Sequence, residues 1–356
     1  MEKKRAAILG ATGVAGQQFL EALFDHPWFE IDGLYASERS AGKNYGTAAV
    51  WHSATPLPKP IADKGVLNIH DVMDEIDKYD IVFSALPSDV AKEIEGKVAS
   101  HKPVISTASA YRYEDDVPIL VPEVNADHAP LIERQRNNRG WKGFVVPGPN
   151  CTTMGLIISL KPLYDRYGIK QVFMTSMQAL SGAGYPGVAS LDIVDNVVPF
   201  ISKEEEKVQL ETVKSLGVFR QDQVNHAPFP VSCTCTRVPT IDGHMLSIFV
   251  ETDKPCSPEE YIQLIAEFNQ ECKQKYGNLP SAPEETIVYK PENNRPQPRL
   301  DRELGGGMST VVGRIRQDDI FGKNGLKYVA LSHNTKRGAA KGEILAAEYL
   351  MTQGYF

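Results

Sequence analysis

The chain has little of what would place it in a membrane, outside a cell or on a nucleic acid. No apolar run approaches the roughly 20 residues that a membrane-spanning helix needs. The start, Met1-Glu2-Lys3-Lys4-Arg5, leads at once into a strand-like run and leaves no apolar segment for a secretory signal. A cytoplasmic location and no membrane partner are expected. Positive charge is not in excess: 38 Lys and Arg face 45 Asp and Glu, a net charge of −7, which argues against coating nucleic acid or an anionic surface. Cysteines are few and odd in number, at 151, 233, 235, 256 and 272. They form no C-x-x-C pair, and no histidine spacing suits zinc, so neither a disulfide framework nor a metal site is expected. Internal repeats and low-complexity tracts are missing, and Pro291–Pro298 reads as a surface loop.

What remains is an ordinary globular composition, 42% hydrophobic and 23% charged, over 356 residues. That length suits two cores better than one. The opening reads strand, turn, helix: Arg5 to Leu9, then Gly10-Ala11-Thr12-Gly13-Val14-Ala15-Gly16, then an apolar-periodic run through Phe24. Glycines let backbone approach a pyrophosphate, and a following helix N-terminus supplies amides and the positive end of its dipole. The Gly-x-x-Gly-x-x-Gly spacing is weak evidence alone, but it stands between a first strand and a helix, the context a dinucleotide fold requires. Strand-like and helix-like runs alternate up to Val146, the rhythm of a parallel, doubly wound sheet. After Cys151 come long β-like runs with long excursions. The expected fold is therefore α/β: a Rossmann-like domain over 1–150, then an α+β domain over 151–335 with a mixed sheet whose open face could bind another subunit. The alanine-rich run Asn334 to Leu350 reads as a helix, and the segment 336–356 is expected to complete the first domain.

Cys151 lies in Val146-Pro147-Gly148-Pro149-Asn150-Cys151-Thr152-Thr153, at the junction of a strand-like and a helix-like run. A thiol is only a few per cent ionised at neutral pH, and a helix N-terminus can lower its pKa, so this is a place for a nucleophile. Cys233 and Cys235, one residue apart in a β-like run, share a strand face and read as small core side chains.

Taken together, the chain resembles aspartate-semialdehyde dehydrogenases of the archaeal and fungal type. The resemblance is carried by GATGVAGQQF at 10–19, ASERSAGKNYG at 36–46, SALPSDVA at 84–91, PGPNCTT at 147–153, QALSGAGYPG at 178–187, RVPTIDGH at 237–244 and HNTKRGAA at 333–340. It implies NADPH-dependent reduction of aspartyl 4-phosphate to the semialdehyde with release of phosphate, on the route through diaminopimelate to lysine and to threonine, methionine and isoleucine. A homodimer or homotetramer acting on small molecules is implied.

By the same resemblance Cys151 is the nucleophile, His244 the acid/base and Gln178 the residue that orients the acyl-enzyme carbonyl. Arg237 grips the substrate carboxylate with paired bonds, Glu204 takes the amino group, and Lys207 and Arg112 bind the phosphoryl group. Cofactor contacts are implied at Gly10, Thr12, Gly13, Val14, Ser84, Leu86, Ser181, Gly182, Gly184 and Asn334. An imidazole with a pKa near neutrality suits the proton transfers. An NAD enzyme usually places a carboxylate after the second strand; here Ser37, Arg39 and Ser40 offer a cradle for a 2′-phosphate, and Glu38 is the counterargument. Where many relatives carry Ser-Asn, this chain has Ser106-Thr107, which keeps a hydroxyl and loses the amide. Two other readings stay open: a reductase of acyl-CoA thioesters such as malonyl-CoA, and a catalytically silent NADP-binding regulator. Arg112, Lys207 and the unaltered Asn150-Cys151-Thr152-Thr153 run favour the acyl phosphate over the first, and retention of Cys151, Gln178, Arg237 and His244 speaks against the second.

Overall fold

A computed structural model describes residues 2–356. In the first half, β1 (Lys4–Leu9), β2 (Phe29–Ala36), β3 (Leu67–Asn68), β4 (Ile81–Ser84), β5 (Pro103–Ser106) and β6 (Phe144–Pro147) form one sheet in the order β3-β2-β1-β4-β5-β6. All neighbours run parallel. The order reverses between β1 and β4, so a crevice opens there at the carboxyl ends of the strands. Helices α1 (Val14–Leu23), α2 (Ser88–Ala99) and α3 (Leu131–Arg139) cover the sheet. Alternate strand residues feed opposite faces. Ile8 and Phe83 pack with Phe19 and Ile132 on one side, while Leu9 and Val82 pack with Ile94 and Val98 on the other. The two-residue β3 was not anticipated, being too short to show any periodicity.

The second half opens with α4 (Cys151–Tyr167) and builds a six-stranded sheet from β7 (Gln171–Gln178), β10 (Val231–Arg237), β11 (His244–Glu251), β12 (Ile287–Lys290), β13 (Thr310–Gln317) and β14 (Gly325–Ser332). A small hairpin, β8 (Val218–Arg220) and β9 (Gln223–Asn225), lies outside it. The order is β10-β7-β11-β14-β13-β12, parallel at both ends and antiparallel between. Burial alternates along β10, β7 and β11. The inward set, with Cys233, Cys235, Met174 and Ile248, packs under α4, α5 (Glu204–Ser215) and α6 (Pro258–Tyr276). The outward set is uncovered, with Phe173 42% exposed. Gly155 lets α4 lie close on this sheet, since a Cβ there would fall 2.9 Å from the Ser332 Cβ.

The C-terminal run is not the continuous helix its alanines suggest. The chain makes a wide turn over Lys336–Ala340, with Ala339 at φ −155° and ψ −121°, and α7 starts only at Lys341 (Lys341–Thr352). Two tertiary demands impose the break. Gly338 lies against the start of α4, where a Cβ would come within 2.8 Å of the Cys151 Cβ. Arg337, fully buried, makes two bonds to the Glu123 carboxylate at 2.8 and 2.9 Å. Beyond the turn, Ile344, Ala347 and Leu350 join the core of the first sheet, while Leu345 joins that of the second.

Losing one member of a buried pair strands the other charge. Arg337→Met or Glu123→Gln should each cost about 3–5 kcal/mol of stability, and the double substitution should cost less than the two combined. Urea unfolding of the three variants checks this; single-variant losses below about 1 kcal/mol would show that the pair does not anchor the turn.

Candidate active site

Two clefts meet above the crevice of the first sheet, sharing Leu86 and Pro87. The outer one, about 700 Å³, is lined by Gly10, Thr12, Gly13, Ser37, Glu38 and Arg39. Gly10 has φ +77°, and a Cβ on it would sit 2.7 Å from the Ala85 carbonyl oxygen; a Cβ on Gly16 would sit 2.2 Å from that of Gly10. The β1–α1 turn can therefore close only with glycine at both positions. No side chain caps α1, and Val14 and Ala15 of its first turn line the inner cleft. Exposed amides at a helix start, no side chain in the way and a long trough fit a dinucleotide pyrophosphate. Ser37, Glu38 and Arg39, which follow β2, line the same cleft. Ser40, by contrast, is buried and is not among the residues that line the cleft.

The inner cleft, about 350 Å³, holds Cys151, Arg112, Glu204, Lys207, Ser181, Gly182, Gly184 and Asn334 along its walls. Cys151 is the first residue of α4. Asn150 caps the helix: its Oδ1 accepts the Thr152 and Thr153 amides at 2.9 and 3.3 Å. His244 begins β11 and brings Nε2 to 3.3 Å from the Cys151 sulfur. Its Nδ1 accepts the Ala179 N–H at 3.0 Å, while the Ala179 carbonyl accepts from Arg237 Nη1 at 2.6 Å. The main chain of one residue, Ala179, thus orients both side chains. Gly182 crosses directly in front of them, and a Cβ on it would fall 2.8 Å from Arg237 Nη1 and 3.1 Å from the His244 ring. Asn334 ties this crossing down, donating to Ser181 Oγ and accepting the Gly243 amide, each at 2.8 Å.

The protonation states differ from those the sequence suggested. Burial pushes the Cys151 thiol up to about 12, with the Glu204 charge adding to the effect and Arg112 and Arg237 opposing it. Burial likewise pushes His244 down to about 3, reinforced by Arg237 and His333. Desolvation, set against the helix dipole and the arginines, favours the neutral thiol and the neutral imidazole. The tautomer follows from the Ala179 contact. An acceptor at Nδ1 carries no proton, so the neutral ring holds its proton on Nε2 and directs it at the sulfur.

Helix α5 turns its three consecutive glutamates to different surroundings. Glu204 turns inward, its Oε1 accepting from Asn150 Nδ2 at 3.0 Å and from the Thr152 hydroxyl at 3.1 Å. Glu205 instead accepts the Cys235 amide, and Glu206 faces solvent. One turn on, Lys207 reaches the cleft. Arg112 donates through Nη2 to the Thr107 carbonyl at 2.7 Å and through Nη1 to Glu211 at 3.2 Å. The Thr107 hydroxyl is occupied by the Ser84 carbonyl.

Two further expected contacts are not placed on the clefts. Ser84 is wholly buried beneath Thr107 at the end of β4. Gln178 is 1% exposed, and its amide donates to Ser176 Oγ at 3.2 Å, pointing back along its own strand. Residues that the sequence did not single out include Ala179, which acts through its peptide alone and leaves no side-chain signature, and Gly338. Glu211 and Lys214 were legible in principle, since 204, 207, 211 and 214 lie on one helical face.

Comparison with known proteins matches this architecture. The family model of the semialdehyde dehydrogenase NAD binding domain covers residues 5–131, and that of the semialdehyde dehydrogenase dimerisation domain covers 160–337. An aspartate-semialdehyde dehydrogenase of Archaeoglobus fulgidus is 49% identical over 347 residues, 97% of each chain. The chain belongs to the aspartate-semialdehyde dehydrogenase family. A crystal structure of aspartate semialdehyde dehydrogenase with NADP from Candida albicans superposes with a TM-score of 0.88 at 39% identity, covering 99% of this chain and 100% of that one. A malonyl CoA reductase (NADP) of Metallosphaera sedula is 37% identical over 99% of this chain and 98% of its own.

The buried imidazole has a measurable consequence. Folded His244 titrates near 3 against an ordinary 6.5, so below about pH 6.5 the unfolded chain binds more protons, and the stability this site contributes is lost as pH falls toward 3. In long-range ¹H–¹⁵N spectra, His244 should keep the neutral Nε2–H pattern from about pH 8 down to about pH 5. A titration midpoint between 6 and 7, or an Nδ1–H pattern, would contradict this assignment.

Proposed function

We propose that this protein carries out NADPH-dependent reductive dephosphorylation of L-aspartyl 4-phosphate to L-aspartate 4-semialdehyde. The observation that carries the reading is one cleft in which a helix-N-terminal thiol, 3.3 Å from an imidazole, shares its walls with Arg112 and Lys207. Two cations beside a nucleophile suit a dianionic leaving group. A CoA thioester places no such charge next to its acyl carbon.

The chemistry follows from the protonation states. The Cys151 sulfur attacks the acyl carbon, a C–S bond forms and the C–O bond to phosphate breaks. His244 Nε2 already carries a proton and cannot take another while Nδ1 is held by Ala179. The thiol proton therefore leaves on the phosphate, which departs as hydrogen phosphate against Arg112 and Lys207. His244 acts as a hydrogen-bond donor to sulfur, favouring thiolate each time it forms, rather than as a base. Bound NADPH supplies the hydride that reduces the thioester. Collapse of the thiohemiacetal alkoxide to aldehyde then expels Cys151 thiolate towards the same Nε2–H, and a proton from solvent returns it to the resting thiol. Arg237 anchors the substrate carboxylate and Glu204 its ammonium; for Gln178 to orient the carbonyl, its amide must first leave Ser176.

In this reading residues 1–150, completed by 336–356, hold the cofactor: Gly10, Thr12, Gly13 and Val14 at the pyrophosphate, Leu86, Ser181, Gly182, Gly184 and Asn334 along the trough, and Ser37 and Arg39 at the 2′-phosphate. Residues 151–335 carry catalysis and pairing. Identical chains associate through the uncovered face of the second sheet and the apolar side chains of Leu191, Val194, Val197 and Phe200, all more than half exposed, as a dimer or a dimer of dimers. Five free cysteines, one of them a nucleophile, suit the reducing cytoplasm.

An assay of phosphate-dependent NADP reduction with aspartate semialdehyde, malonate semialdehyde and glyceraldehyde 3-phosphate tests the activity. Aspartate semialdehyde should be preferred, CoA should not replace phosphate, and Cys151→Ala should abolish turnover while leaving NADP binding intact. Faster turnover with CoA than with phosphate would transfer the chain to the acyl-CoA class.

Cofactor choice has its own test. Arg39→Ala removes a charge-assisted contact of about 1.5–3 kcal/mol, so NADPH affinity should fall about ten- to a hundredfold with little change for NADH. If both cofactors weaken together, the 2′-phosphate does not lie against Arg39.

A further inference from the structure

Helix α5 carries two buried charged residues to which no step above gives work. Glu211 is wholly buried and Lys214 is 6% exposed, and each is bonded to Arg112. Glu211 Oε1 accepts from Arg112 Nη1 at 3.2 Å and from the Tyr113 hydroxyl at 2.9 Å. Its Oε2 accepts the main-chain N–H of Asn150, the residue before the nucleophile, at 2.5 Å. Lys214 Nζ donates to the carbonyls of Arg112 and Glu114, both at 2.8 Å. Successive turns of one helix therefore hold Arg112 by its guanidinium and by its main chain. Of the five guanidinium N–H groups, one meets Glu211 and one meets Thr107, while Nε is buried without a partner. One on each terminal nitrogen is left for an anion in the cleft that Arg112 lines.

We propose that Glu211 is the positioning residue that sets the phosphate-binding Arg112 in register with the Cys151 nucleophile, one carboxylate oxygen serving each. The proposal rests on the reading of Arg112 as a phosphate ligand. Only a carboxylate accepts on both ends. In Gln the amide NH₂ must face either the Asn150 N–H or the Arg112 and Tyr113 donors, donor against donor, and a buried group loses its partner. Either outcome separates two elements that must stay aligned, because reacting groups displaced by about 1 Å can lose about a hundredfold in rate. Lys214 closes the frame by keeping the Arg112 main chain from following its side chain.

The test uses the full-length enzyme, with inorganic phosphate, aspartate semialdehyde and NADP as substrates. Glu211→Gln should raise the KM for phosphate and lower kcat, each about tenfold or more, while the Kd for NADP and the KM for the semialdehyde stay within about twofold. Alkylation of Cys151 by iodoacetamide, measured with no substrate present, should also change about threefold or more, since the Asn150 anchor is lost. Glu211→Asp keeps the charge but is one methylene too short to serve both sites, and it should show the same pattern more weakly. It stands in if the Gln variant does not fold.

A cycle with Arg112→Lys should be strongly non-additive in kcat/KM for phosphate. Additive effects, or a loss spread equally over NADP, semialdehyde and phosphate, would reduce Glu211 to a fold residue and overturn the proposal. So would a folded variant whose phosphate KM and alkylation rate match wild type. Failure of the underlying reading looks different: wild type itself would then show no dependence on phosphate.

Discussion

The position of the Cys151 sulfur depends on how one helix start is held. Asn150 satisfies two of the free amides of α4 with its side chain, and its own amide is taken by Glu211. Only three residues, Gly148 to Asn150, separate the last strand of the first sheet from the first helix of the second half. The Cys151 thiol is therefore fixed at the seam, where the parallel sheet presents its crevice and the mixed sheet presents His244 and Arg237. Gly148 marks how tight the seam is, because a Cβ there would lie about 2 Å from the Glu343 carboxyl. That carboxyl is fully enclosed and pushed up to about 8 by burial.

Enclosure also decides the chemistry. In open water a helix N-terminus and two arginines would favour a thiolate, and an imidazole beside it would be a ready base. Here desolvation dominates both groups, and the Ala179 amide selects the tautomer. The site stores no charge separation in the resting state. In the proposed reaction charge enters with the substrate, and Arg112 and Lys207 on one side and the Nε2–H of His244 on the other are in place to meet it. Such preorganised donors contribute most where water is excluded.

Much of this architecture was legible along the chain. The glycine turn, the strand–helix alternation and the alternating burial of β7, β10 and β11 each leave a period or a motif. What escaped detection acts without a local signal. Ala179 works through its peptide, and Thr107 through its carbonyl on Arg112. Ser84 and Ser40 sit in the right motifs yet are covered by neighbours, because a motif specifies a loop and not which of its side chains the packing leaves free. The pKa expectations missed because a sequence reveals dipoles and neighbouring charges but not burial.

The break before α7 belongs to the same logic. A run rich in alanine has every local reason to continue as helix, and three residues override it. Asn334 pins the Ser181 crossing and the turn before His244. Arg337 requires Glu123, and Gly338 requires contact with Cys151. A straight helix from Asn334 would point these groups in directions about 100° apart per residue, whereas all of them must meet parts of one seam. The wide turn over Lys336–Ala340 reconciles them, and small residues after it let α7 settle into the first core. The last segment of the chain thereby joins both sheets at the point where the thiol sits, so the geometry around Cys151 depends on residues nearly two hundred positions away in sequence.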